Sequence, residues 1–284
     1  MIVYEKAPAK INLSLDILGK RADGYHEVEM VMASIDLFDR LELAELTEDR
    51  IVVSSQAGFI PLDERNLAYQ AADLMKREFN IKQGVKIHID KRIPVAAGLA
   101  GGSSDAAATL RGLNRLWKLD IPLTQLAELS ATLGSDVPYC VTGGTAVARG
   151  RGEALEKLPS PPACWVVLAR PPLTVSTADI YEQYRVGEGD QPRFTKGVVQ
   201  AVYARDFHQL CHSLGNHLES VTLRLYPQVN KIKRTILQMG ADGALMSGSG
   251  PAVFALANRE SKAKRMMRGL RGFCRDVYMV RLLV

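Results

Sequence analysis

The segment Pro94-Val95-Ala96-Ala97-Gly98-Leu99-Ala100-Gly101-Gly102-Ser103-Ser104-Asp105-Ala106-Ala107-Ala108 constrains this chain more than any other. A strand-like stretch enters it, three glycines and two serines fill it, and an alanine-rich run leaves it as a helix. Glycine lets backbone N–H groups approach a ligand without interference from Cβ. Clustered N–H groups and a helix N-terminus bind anions, phosphate above all. No Gly-Lys-Ser/Thr closes the loop and no Gly-x-Gly-x-x-Gly occurs in it, so it is neither a Walker A loop nor a dinucleotide fingerprint. A tight strand-to-helix connection without a ligand is the plainer alternative.

The 284 residues suffice for one large or two ordinary domains. A 47% apolar and 24% charged composition is that of a soluble globular protein. No apolar run reaches the length of a membrane span, and Met1–Lys6 lacks the layout of a signal peptide. A cytoplasmic protein without membrane association is expected. Cys140, Cys164, Cys211 and Cys274 have no metal or disulfide spacing and read as reduced, buried thiols. The net charge of +5 suits an anionic small substrate. The basic run Lys262–Arg271 has helical spacing and reads as a solvated face rather than a nucleic-acid surface.

Ile11, Leu13, Leu15 and Ile17 alternate with polar residues, as in a half-buried strand whose polar face carries Lys10 and Asn12. Gly19–Gly24 reads as a turn that delivers Tyr25 and His26. Short strands are expected at Leu41–Leu46, Ile51–Val53 and Val85–Ile89. Asn66 is placed to cap a helix with the stripe Leu67, Ala71, Leu74, Met75 and Phe79. After the glycine loop, Ala106, Leu110, Leu113 and Trp117 share a helix face. A second helix carries Leu126, Leu129 and Leu133, with Gly134 as its terminator. Ser135–Pro138 begins another helical turn, Thr145–Arg149 a strand, and Arg149–Glu153 a turn or flexible loop.

Leu158–Pro162 is the expected domain boundary, giving domains 1–158 and 159–284. Beyond it the order is strand (Cys164–Ala169), several helices, strands at Ala244–Met246 and Ala252–Ala257, a helix (Ser261–Leu270) and a last strand (Asp276–Leu282). That is β-α-β-β-α-β, the split ferredoxin-like arrangement with extra helices.

Four further features bear on chemistry. Gly243–Pro251 is a second glycine-serine loop, either a hairpin connection or a flap over a phosphate. Asp136 at a helix start is a cap or a proton acceptor for a substrate hydroxyl. Lys10 is a solvated lysine or a stabiliser of charge on a transferring phosphoryl group. His208, His212 and His217 lack the carboxylate or cysteine that would complete a metal site.

Lys6-Ala7-Pro8-Ala9-Lys10-Ile11-Asn12-Leu13, the Pro94–Ala108 loop and Gly243–Pro251 occur in the order of the three motifs of the GHMP kinase superfamily, which the chain resembles along nearly its whole length. Arg21-Ala22-Asp23-Gly24-Tyr25-His26 and Gly134-Ser135-Asp136-Val137-Pro138 resemble the members that phosphorylate a cytidine-diphospho sugar alcohol. The resemblance implies a two-domain α/β (α+β) fold, with an N-terminal ATP-binding and catalytic domain like ribosomal protein S5 domain 2. The C-terminal substrate domain would be ferredoxin-like.

It also implies ATP-dependent phosphorylation of the 2-hydroxyl of a cytidine-diphospho methylerythritol in isoprenoid precursor synthesis, with Mg2+ and no assigned protein metal ligand. Asp136 would be the catalytic base, and Lys10 would pair with it and stabilise charge. Pro94, Val95, Ala96, Ala97, Gly98, Leu99, Ala100, Gly101, Gly102, Ser103 and Ser104 would wrap the ATP phosphates, with Asn66 near the adenine. Asn12 would contact the methylerythritol or its phosphate. Tyr25, His26 and Tyr181 would hold the cytosine. Ala100 departs from the motif, where relatives often carry another glycine. Homoserine or mevalonate as acceptor, and RNA binding by an S5-like fold, are the alternatives. The partner expected is the small-molecule substrate, not nucleic acid or membrane, with the protein a monomer or homodimer.

Overall fold

The computed structural model describes residues 1–185 and 193–283. The chain divides into two compact units, Met1–Ala9 with Leu37–Val95 and Ala100–Gly143, and Lys10–Asp36 with Ala96–Leu99 and Gly144–Val284. The division passes through two long strands, β1 (Ile2–Lys20) and β2 (His26–Leu46), and through the glycine loop.

The first unit adds β3 (Ile51–Ser55), α1 (Leu67–Glu78), β4 (Gly84–Asp90), α2 (Gly101–Leu116), α3 (Leu123–Ser130) and α4 (Val137–Thr142). β4 lies between parallel β3 and the antiparallel end of β2, so Ile87 is opposite both Val53 and Leu43. Its alternation, with Val85, Ile87 and Ile89 fully buried, turns one face to the core. α1 packs along α2, and α4 packs on α2 and α3. Burying each large aliphatic side chain here stabilises the unit by about 1.5–3 kcal/mol.

The second unit contains β5 (Thr145–Gly150), β6 (Ala154–Leu158), β7 (Trp165–Arg170), α5 (Thr177–Gln183), α6 (Thr195–Ala204), α7 (Phe207–Ser213), β8 (Gly215–Asn216), α8 (Glu219–Leu225), α9 (Pro227–Gln238), β9 (Gly243–Met246), β10 (Val253–Ala257), α10 (Glu260–Arg271) and β11 (Asp276–Arg281). β5 pairs antiparallel with β2 and β6, and β8 pairs parallel with β1 at Ser14. A four-stranded antiparallel sheet has the order β11-β7-β10-β9, with α9 and α10 packed against its strands. The expected β-α-β-β-α-β succession is thus present, with its four strands in one sheet.

Several local expectations are corrected. The polar face of β1 is not solvated: Lys10, Asn12, Ser14 and Asp16 are all buried. Internal partners replace water there. Ser14 Oγ bonds Thr195 Oγ1 at 2.9 Å and accepts from Val31 N, and the Asp16 carboxylate accepts from Phe194 N and Thr195 N. Leu41–Leu46 is no short strand but the end of the 21-residue β2. α3 stops at Ser130 with Ala131 as its C-cap. Gly134 is not left-handed; its carbonyl accepts from Val137 N at 3.1 Å and starts the turn into α4. Trp117 is the C-cap of α2. All four cysteines are buried and free.

Candidate active site

Within the second unit, parts of all three motif segments meet at one hydroxyl. Ser247 Oγ donates to the Gly98 carbonyl at 2.8 Å and accepts from Asn12 N at 3.3 Å. Lys10 N donates to Leu99 O at 3.2 Å, and Ala252 N donates to Ala97 O at 3.3 Å. Gly98 has φ +75°, and a Cβ there would lie 2.1 Å from Ser247 O, so no other residue fits. Gly248, at φ +55°, passes over Gly98 and the Asn12 amide. The loop expected at Gly243–Pro251 is therefore β9 followed by a turn, closed by Gly250 N donating to Ser247 O. More than a hairpin connection, it is tied to both other motifs.

Strand alternation places Lys10 and Asn12 side by side on β1. Lys10 Nζ donates to Asn12 Oδ1 at 2.8 Å, and Asn12 Nδ2 approaches Met30 Sδ at 3.1 Å. Lys10 is 4% exposed, so its lysine charge lies in the interior rather than on a solvated surface.

In the first unit, the loop enters through Pro94 and Val95 and leaves at Ala100, which is left-handed (φ 56°, ψ 32°) and caps α2 with no side-chain hydrogen bond. The first N–H groups of α2, at Gly101, Gly102 and Ser103, have no acceptor within the helix. Ser104 N is the first to bond back, to Ala100 O at 2.8 Å. Ser104 is itself buried, its hydroxyl donating to Pro8 O at 2.6 Å. Gly102 is exposed, with no side chain to block an approaching anion.

Asp136 also lies in the first unit, at the N-cap of α4. Its side chain makes no capping hydrogen bond, and it is half-buried. The capping reading is thereby excluded. The helix it heads is fixed from its other end: Arg111 of α2 donates to Cys140 O at 2.8 Å and to Lys6 O at 2.9 Å.

In the second unit His26 meets Tyr181, with Tyr25 beside His26 in the chain. The turn before them is set by Gly24 at φ +86° and by Asp23, which accepts from Tyr25 N and from Arg21. The His26 ring lies 5.3 Å from that of Tyr181, tilted by 39°. Burial first, then the nearby Lys20 charge, lowers the His26 pKa below its usual 6.5. Tyr25 is 57% exposed, its ring covered by the Arg151 guanidinium at 5.2 Å. Arg151 escaped the sequence reading, which saw only a turn at Arg149–Glu153. The turn is a β-hairpin whose geometry, invisible in a local pattern, aims the arginine at Tyr25.

Asn66 caps α1. Its Oδ1 accepts from Ala68 N at 2.9 Å and its Nδ2 donates to Pro61 O at 2.7 Å, so both ends of the amide are engaged. The three C-terminal histidines are structural: His212 Nδ1 bonds His208 O, and buried His217 bonds Ile17 N.

The GHMP kinases N-terminal domain matches residues 66–144, and the GHMP kinases C-terminal domain matches residues 198–276. The chain is 61% identical over 283 residues to the 4-diphosphocytidyl-2-C-methyl-D-erythritol kinase of Bacillus pumilus (strain SAFR-032), covering 100% of this chain and 98% of that one. It is 59% identical over 283 residues to the kinase of the same name from Exiguobacterium sibiricum, covering 100% and 99%. A crystal structure of 4-(cytidine 5'-diphospho)-2C-methyl-D-erythritol kinase matches it with a TM-score of 0.84 at 34% identity, over 98% of each chain. With its motifs gathered at Ser247 and full-length relatives at this identity, the chain belongs to the GHMP kinase family, among the 4-diphosphocytidyl-2-C-methyl-D-erythritol kinases.

Proposed function

We propose that this enzyme transfers the γ-phosphoryl group of ATP to the 2-hydroxyl of 4-diphosphocytidyl-2-C-methyl-D-erythritol, a step of isoprenoid precursor synthesis, in the cytoplasm and as a monomer or homodimer. The observation that carries this reading is the junction at Ser247, where all three family motifs meet in a chain 61% identical to a kinase of that name.

Pro94–Ser104 receives the phosphates through the N–H groups of Gly101, Gly102 and Ser103 and the positive end of α2. Asn66 lies near the adenine as the cap that fixes the start of α1. Asp136, not engaged in capping, takes the proton from the substrate hydroxyl. Lys10 stabilises charge on the transferring group. Its ammonium is held by Asn12 and shielded from water, so the charge acts undiluted. Asn12 contacts the methylerythritol or its phosphate. Tyr25 and Tyr181 stack on the cytosine, and His26 hydrogen-bonds it.

Mg2+ would arrive on the nucleotide phosphates, with no protein ligand assigned to it. Bound there, Mg2+ supplies neutralisation of phosphoryl charge. Positioning and charge stabilisation do the remainder.

Residues 1–158 form the S5 domain 2-like ATP-binding and catalytic domain, and residues 159–284 the ferredoxin-like substrate domain. The two family matches lie on either side of this boundary, and the sheet order β11-β7-β10-β9 supports the second assignment.

An assay of ADP formation with the cytidine-diphospho acceptor, homoserine and mevalonate tests the substrate. Turnover with only the first is expected; faster turnover with either of the others would overturn the assignment.

A further inference from the structure

A buried ionic cluster in the first unit joins the two ends of the glycine loop. Lys91 Nζ donates to Asp39 Oδ2 on β2 and to Asp105 Oδ2 on α2, both at 2.6 Å. The three side chains are at most 5% exposed. Asp39 Oδ1 accepts from Arg92 N at 2.5 Å and from Ile93 N at 2.8 Å. Lys91 Nζ also passes beneath the first residue of α2, where a Cβ on Gly101 would sit 3.1 Å from it. One ammonium thus links β2, the strap that enters the loop and the helix that leaves it. Asp105 Oδ1 is buried without a hydrogen-bond partner.

Stability alone is a weak reason for such a cluster. A buried ion pair is often no better than apolar residues of the same volume, because desolvation offsets the attraction. What the cluster supplies is geometry. We propose that Asp39, Lys91 and Asp105 are positioning residues that hold Lys91–Ile93 and Gly101–Asp105 at the spacing the nucleotide phosphates require.

This rests on the reading of the loop as the nucleotide site. The protonation of the cluster agrees with it. Burial pushes the Asp105 carboxyl up to about 8, with Lys91 opposing and Asp39 adding to the effect. Burial draws Lys91 down, but Asp105 and Asp39 together hold it above its usual value. The raised Asp105 carboxyl lessens the negative charge beneath the anion site.

The test is calorimetric binding of a non-hydrolysable ATP analogue with Mg2+, alongside steady-state kinetics with the cytidine-diphospho acceptor. Lys91→Met and Asp39→Asn should weaken analogue binding by about tenfold or more while the acceptor KM stays within about twofold, since small displacements of binding groups are costly. Asp105→Asn, still an acceptor for Lys91 and still neutral, should bind within about twofold of wild type, and Asp105→Leu should not. Wild-type affinity in folded Lys91→Met and Asp39→Asn would overturn the proposal, as would equal losses for nucleotide and acceptor. Should those two variants fail to fold, the Asp105→Asn and Asp105→Leu pair decides, and equal affinities there overturn it. A wild-type protein that binds no analogue would overturn the nucleotide reading itself, and the cluster's role with it.

Discussion

The Ser247 hydroxyl donates to the Gly98 carbonyl across 149 residues of sequence, at 2.8 Å. Ser247 is fully buried, so a replacement that cannot bond leaves both the Gly98 carbonyl and the Asn12 N–H without this partner. Ser247→Ala should cost about 1–3 kcal/mol of stability and raise the KM for ATP, the glycine loop having lost its anchor. Urea unfolding and nucleotide titration measure the two effects; an unchanged ATP KM would mean that Ser247 does not set the loop.

Ala100 is left-handed at the N-cap of α2, a conformation that crowds its Cβ. Ala100→Gly removes the crowding, about 1–2 kcal/mol, and returns part of it as unfolded-chain entropy, about 0.4–1 kcal/mol. A small net gain in the denaturation midpoint is expected. A clear loss would count against the left-handed cap.

His26 is neutral at pH 7, because burial and Lys20 lower its pKa below 6.5. A neutral imidazole offers one donor and one acceptor, which suits the mixed edge of cytosine. The acceptor KM should be flat above pH 6.5 and rise as the pH falls through the lowered value, where the acceptor nitrogen is lost. His26→Ala should raise it about tenfold above pH 6.5 and make it independent of pH, so that the gap to wild type narrows as the pH falls. A pH-dependent rise that persists in His26→Ala would remove His26 from this role.

Asp136 heads α4 without capping it. As the base, its replacement in Asp136→Asn should lower kcat by about 10²–10⁴-fold, with nucleotide binding unchanged by calorimetry. Near-normal turnover in the purified variant would assign the proton transfer elsewhere.

Local patterns carried much of this structure. Alternation at Val85–Ile89 marks β4, Asn66 marks the start of α1, and the strand order after Pro162 marks the four-stranded sheet. They failed where tertiary contacts decide. The polar residues of β1 read as solvated because alternation cannot tell a water-facing side from one met by Thr195 and the Phe194 backbone. Arg151 and the Lys91 cluster act through partners distant in sequence, Tyr25, Asp39 and Asp105, and no spacing rule joins them. The motifs were legible as segments, whereas their meeting at Ser247 needed the fold.

Transfer of phosphate from ATP to a cytidine-diphospho sugar alcohol is the activity from which every site role above follows. ADP release by the wild-type protein with Mg2+, with 4-diphosphocytidyl-2-C-methyl-D-erythritol present and absent, tests it most directly. ADP should form in equal measure with acceptor phosphorylated at its 2-hydroxyl, and only in trace without acceptor. ADP release that the acceptor does not accelerate would contradict it.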